Sequence, residues 1–467
     1  MNGGPFSRWT IWSSTPLTTP TATWACPPVL YAAPAWPRSR RLRIRPLQTT
    51  ISSSPTVRGT TAATFLPLRR RSTSVITGLA VAKFHSHAAP STPYALRVAC
   101  CVLCTACFVF LLVACRFPGA VRPTVKIGLV APFEGRYRYV GYDVIYAVRL
   151  ALREANAAGG VGGYSVELVA YDDGADPAMA AEQARKLAAD PEVVTAVGHF
   201  REETTTAALS TYAEAGIPLV APAVLDPALT WGGAEVYQVY RMGPVAGAVA
   251  SALLHRLKGL GQYRAVLVTE GGPLGRALQR DAQQYGLRVW PVVLPEEPAW
   301  LGEVKASGAE AVFCDADPVT AGEVAAALRE AGWEGIFLGG PELAASDFVA
   351  VAGQAAEGTV FVTPWPFPAD VPDSANLVAS YRAVSNGVPP GPLALLAYEA
   401  TWVLLEALER DIAAHGAPTR GGVAAALPAT EREGLLGHIT FDASHNWGKA
   451  SLYWYRVGAG GVLERVP

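Results

Sequence analysis

The chain has 467 residues, with 38 Lys and Arg against 39 Asp and Glu, a formal net charge of −1. That balance hides a division: 12 of the basic residues precede Cys115 while every acidic residue follows Phe133, which leaves the chain after Cys115 with a net charge of −13. Such a surface argues against nucleic acid and anionic membranes as partners, and about 350 residues make two domains of ordinary size.

Residues 1–95 contain no Asp or Glu and set Arg in blocks, Arg38, Arg40, Arg41, Arg43 and Arg45, then Arg69, Arg70 and Arg71, among Ser, Thr, Pro and Trp. Self-repelling charge without hydrophobic periodicity does not offset the entropy of ordering, so disorder is expected here. A transit peptide shares this signature. So does DNA translated ahead of the true start, the reading favoured because no methionine lies between Met1 and Met179.

Residues 96–115 follow: Arg97, seventeen uncharged residues ending in Leu112, Val113 and Ala114, then Cys115. This is the layout of a bacterial lipoprotein signal, with cleavage after the small residue and a lipid anchor through Cys115. An uncleaved membrane helix is the alternative. Either one places the rest of the chain outside the cytoplasm, membrane-anchored, in the periplasm or on the outer face of the cytoplasmic membrane. The CxxC spacing of Cys101 and Cys104 is not read as a zinc site, because an apolar core gives a hydrated cation neither a route nor supporting hydrogen bonds. Cys314 is the one cysteine after Cys115, so no intramolecular disulfide forms there, and it reads as a buried small hydrophobe.

From Val125 the chain alternates strand and helix. A buried-strand run at 125–132 precedes a helical pattern at 141–158 that stops at Gly159 and Gly160. Then come strand 165–171, helix 177–189, strand 193–197, helix 204–215 and strand 218–222. A second series runs through helix 245–258, strand 263–269, helix 274–285, strand 287–293, a short helix at 299–306, strand 311–314, helix 321–331 and strands 335–338 and 359–362. This spacing implies parallel strands with right-handed crossovers, and two series imply two lobes. A long apolar helix at 393–412 and a tail with an Asn-containing turn complete the order.

The segments VKIGLVAPFEG, GYDVIYAVRLALREANAAGGVGG, ELVAYDDGADPAMAAEQARKL, VGHFREETTTAALSTYAEAGIPLVAPAV, YRAVLVTEGGPLGRALQRDAQQYGLRV and GHITFDASHNWGKASLYWYRV together resemble the periplasmic leucine/isoleucine/valine-binding protein family. These are the type I substrate-binding proteins of ABC transporters. The resemblance covers about Thr124 to Val457. It implies an α/β fold of the periplasmic binding protein type I kind, two Rossmann-like lobes joined by three hinge crossovers near Gly243, Pro364 and Glu431. The N-terminal lobe would take 124–243 and 365–430, the C-terminal lobe 244–364 and 431–467. It also implies an extracytoplasmic solute-binding lipoprotein that captures a small polar or amino-acid-like ligand by hinge closure and presents it to an ABC permease in the inner membrane, without cofactor or metal. A ligand-sensing receptor domain with the same cleft and no transport is the other function such a fold serves.

In an open parallel sheet the ligand crevice lies at the carboxyl ends of the strands. The strand ends supply Phe133, Glu134 and Tyr139, then Phe200, Arg201, Glu202 and Thr204, then Ala223 and Leu225 in the first lobe. The second lobe supplies Glu270, Asp315, Asp317 and Glu342. Each of these also has a bland reading as a solvated loop residue, and Arg201 as the ion-pair partner of Glu202 or Glu203.

The chain departs from the family it resembles. Members binding amino acids hold the ligand carboxylate with hydroxyls at positions that fall here on Glu202 and Leu225, and the family's ammonium-facing aromatic falls on Asp317. A register slip of two would return the hydroxyl role to Thr204. A disulfide found in some members falls on Ala175 and Arg201, both cysteines missing together. Two ionised carboxylates in one closed cleft repel, so the expected ligand carries positive charge or amide donors. Catalysis is not expected: His199, His438 and His445 lack a nucleophile in a strained strand-to-helix turn, and no lysine follows the GGPLG segment at 271–275.

Overall fold

The first sheet is built on strand Thr124–Ala131, whose last five residues are all buried. Its order is Ser165–Asp172, Thr124–Ala131, Val193–Gly198, Leu219–Ala221 and Val239–Arg241, paired in parallel throughout. Strand Val193–Gly198 is buried at all six positions, as a strand covered by helices on both faces must be. The structure, a computed structural model of the chain, describes residues 8–9, 122–231, 238–294, 299–448 and 450–467, which fall in one compact unit. The lipoprotein signal, Cys115 and all of residues 1–95 except Arg8 and Trp9 lie outside the described residues.

Local chemistry sets the helix ends. Helix Pro177–Ala189 starts with the Asp176 side chain accepting from Met179 N, with Pro177 in the first turn. Helix Glu202–Ala215 stops at Gly216 in the left-handed conformation, φ 67°.

The second sheet runs Arg288–Val293, Arg264–Thr269, Ala311–Asp315, Ile336–Gly339 and Val360–Thr363 in parallel, then Tyr453–Val457 and Leu463–Val466 antiparallel. The two-residue strand Arg8–Trp9 pairs at its edge. The last two strands are joined directly through the turn at 458–462, the short connection that an antiparallel pair allows.

Helix Pro392–His415 buries Leu395, Leu396, Val403, Leu404 and Leu408 in the first lobe's core. The expected division placed all of 431–467 with the second lobe. Instead, the hairpin Arg432–Gly434 and Gly437–Ile439 packs on that helix, and Trp447, 3% exposed, joins the same core. The reason is electrostatic. Glu399 of the long helix is fully buried and needs a partner, which Arg432 supplies at 2.8 Å while also reaching Glu406. The chain therefore leaves the first lobe after Trp447, and the tail joins the second sheet from Tyr453. No helix among the described residues is long and apolar enough to cross a membrane.

Candidate functional site

Two adjoining cavities open between the carboxyl ends of the sheets. The first, about 80 Å³, is lined by Tyr137, Tyr139, Val140, Asp143, Phe200, Arg201, Glu202, Ala223, Glu342, Trp365, Pro392 and Leu393 among others. The second, about 70 Å³, shares Arg201, Glu202 and Glu342 and adds Glu203, Leu225, Glu270, Asp315 and Asp317. One end of the cleft is therefore aromatic and the other acidic.

The carboxylates differ in what holds them. Asp315 accepts from Thr269 Oγ1 at 2.7 Å and Gly275 N at 3.0 Å, so it anchors the glycine loop. Asp317 caps helix Pro318–Glu330 by accepting from Val319 N and Thr320 N, and pairs at 2.6 Å with Arg136 of the opposite lobe. Both of its oxygens are thus engaged by the protein, and the residue lines the second cavity in that state. Glu202 Oε1 accepts from Leu225 N at 2.8 Å. Glu270 Oε2 accepts from Asp317 N at 3.2 Å. Glu342 alone of these takes no hydrogen bond from another residue and makes no ion pair among the described residues. Burial, reinforced by Asp315 nearby, pushes its carboxyl up to about 8. Burial likewise raises Glu202 and Glu270.

Arg201 stacks its guanidinium 3.8 Å from the centre of the Tyr137 ring and lies 3.4 Å from the Glu203 carboxylate. It faces both cavities from the N-cap of helix Glu202–Ala215. Behind it, fully buried His199 joins Asp173 at 2.7 Å and Tyr212 at 3.1 Å, a scaffold for the loop.

Of the residues expected from strand ends, Tyr139, Phe200, Arg201, Glu202, Ala223, Leu225, Glu270, Asp315, Asp317 and Glu342 line one cavity or both. Three do not. Phe133 packs on the first core, Glu134 is exposed, and the Thr204 hydroxyl is spent on the Arg201 carbonyl at 3.2 Å. A register slip giving Thr204 the hydroxyl role therefore finds no support in its geometry. Tyr137, Asp143, Trp365, Pro392 and Leu393 escaped strand-end reasoning. Asp143 sits on a helix face and accepts from Gly391 N and Ala394 N at the start of the long helix. Among the described residues, no three His, Cys, Asp or Glu side chains group as metal ligands.

Two lobes with a polar and aromatic cleft at facing strand ends define a bilobal solute-binding protein. The chain belongs to the periplasmic binding protein family, whose profile matches residues 124–461, and within it to the Leu/Ile/Val-binding type I group. It is 28% identical over 341 residues to the leucine-, isoleucine-, valine-, threonine- and alanine-binding protein of Pseudomonas aeruginosa, covering 68% of this chain and 86% of that one. It is 27% identical over 337 residues to the Leu/Ile/Val-binding protein homolog 2 of Brucella abortus, with the same shares covered. Among solved structures, a leucine-binding protein from Thermotoga maritima superposes with TM-score 0.65 at 24% identity, covering 72% of this chain and 97% of that one. A solute-binding protein from R. palustris in complex with benzoate superposes with TM-score 0.63 at 21% identity, covering 73% and 95%. These two likenesses establish the fold. The family is one of extracytoplasmic substrate-binding proteins rather than enzymes.

Proposed function

We propose that this chain is the solute receptor of an ABC importer, anchored by lipid on Cys115, and that it closes on a small ligand bearing positive charge or amide N–H donors. The observation that carries the ligand class is Glu342, a carboxyl in the cleft with no donor from another described residue, beside the raised carboxyls of Glu202 and Glu270. A cation or amide donor satisfies them. A ligand carboxylate meets repulsion instead, and the Leu225 N–H is already taken by Glu202. Arg201, stacked on Tyr137, is placed to donate to a carbonyl or other acceptor group of the ligand. Curated relatives are named for leucine, isoleucine and valine, and the acidic wall argues that this chain has moved away from them.

Titration calorimetry of amines, amides, polyamines and amino acids tests this. Leucine, isoleucine and valine should bind more weakly than roughly 100 μM, while a cationic ligand binds more tightly and loses about thirtyfold on Glu202→Gln. Glu202→Ser with Leu225→Thr should admit zwitterionic amino acids. Micromolar leucine binding that Glu202→Gln leaves unchanged would sink the proposal. For the anchor, expression in a bacterial host should give a lipid-modified species beginning at Cys115, and Cys115→Ala an unprocessed precursor.

A further inference from the structure

A larger cavity, about 490 Å³, lies beside the aromatic end of the cleft and shares Tyr139, Asp143, Ala344, Ala345 and Pro392 with it. Its own walls are mostly rings and aliphatic groups: Tyr142, Tyr146, Tyr381, Phe367, Val388 and Leu463. The wall is built and not incidental. Tyr146 and Tyr381 meet edge to face with centroids 6.0 Å apart, and the Tyr381 hydroxyl donates to the Asp143 carbonyl at 2.9 Å, which fixes the ring against the helix bearing Tyr142 and Tyr146. On the rim, Tyr142 is 50% exposed and Val388 57% exposed, two large apolar groups left in water.

We infer that the ligand extends from the acid-lined cleft into this chamber, and that it is an amine or amide joined to an aryl or branched apolar tail. Volume supports a ring: a dry cavity of about 150 Å³ holds benzene, and this chamber exceeds that. Chemistry divides the ligand in the same sense as the walls, a donor head toward Glu342 and Glu202 and an apolar tail against the tyrosines, whose faces and edges favour aromatic partners. The five shared residues set the chamber directly against the cleft, which is why the occupant assigned to it is the remainder of the cleft's own ligand. This rests on the donor-head reading of the cleft given above.

The test is calorimetry on the full chain at pH 8 with two probes, butylamine and 4-phenylbutylamine, on the unmodified protein and on Tyr142→Ala and Val388→Trp, which alter the chamber and leave the cleft's lining intact. The phenyl compound should bind at least tenfold more tightly than butylamine, and both variants should shrink that advantage to about threefold or less while butylamine affinity stays the same. Equal affinity for the two amines overturns the chamber and leaves the cleft reading standing. A full advantage kept by both variants places the ring elsewhere and also overturns it. Failure of both amines to bind overturns the cleft reading and this inference together.

Discussion

Glu342 is a half-buried carboxyl that takes a hydrogen bond from its own backbone and none from another described residue, and its titration follows from that. Its ordinary value of 4.5 rises to about 8, so between those values the folded unliganded protein holds a proton that the unfolded chain has lost. The unfolded state then binds fewer protons, and stability falls as pH climbs from about 4.5 through 8. Glu342→Gln removes this slope. Thermal melts should show the variant gaining on the unmodified protein as pH rises from 5 to 9, by on the order of 2 °C for each kcal/mol recovered. A constant difference across that range would show that Glu342 is ordinarily ionised. A cationic ligand selects the ionised form, so binding should strengthen toward pH 8 with proton release. The residue itself was legible from the end of its strand. Its isolation was not, because that depends on how Asp315, Asp317 and Glu202 spend their oxygens on partners up to 181 residues away in sequence. Asp143 and Trp365 were illegible as site residues for a related reason: one lies on a helix face, the other in a crossing, and only tertiary packing turns them to the cleft.

At the scale of elements, the alternation of apolar runs and amphipathic stretches made most strands and helices readable to within a few residues. Their starts were less so. Helix Pro318–Glu330 was expected from 321 and begins three residues earlier because Asp317 caps it and Pro318 has no N–H to leave unpaired. That cap also joins the lobes through Arg136, so its two roles separate by substitution. Asp317→Asn keeps a side-chain acceptor for Val319 N and Thr320 N and loses the ion pair. Asp317→Ala loses both, and should cost about 1 kcal/mol more in denaturant unfolding, the ordinary worth of an N-cap. Equal stabilities for the two variants would mean that the cap carries nothing here.

For the whole molecule, the family resemblance gave the bilobal plan, and the third crossing was misplaced because a buried ion pair is invisible to hydrophobic periodicity. Arg432 with Glu399 and Glu406 binds the hairpin to the first lobe, and nothing in the local pattern near Glu431 announces it. The same blindness applies to the pairs that span the cleft, Arg136 with Asp317 at 2.6 Å and Arg276 with Asp226 at 3.0 Å. Both arginines are more than half exposed, 52% and 58%, so each pair contributes roughly 0.2–1 kcal/mol and is weakened by salt. Together they bias the lobes toward closure by about two- to thirtyfold, and ligand affinity carries the same factor, since a site competent only when closed is diluted by the open population. Small-angle scattering should therefore find the unliganded Arg136→Ala, Arg276→Ala double variant more extended than the unmodified protein in low salt. The difference should vanish in about 0.5 M NaCl, and ligand should restore one compact form to both. If the two proteins scatter alike at low salt, these contacts do not set the hinge, and closure is driven by the ligand alone.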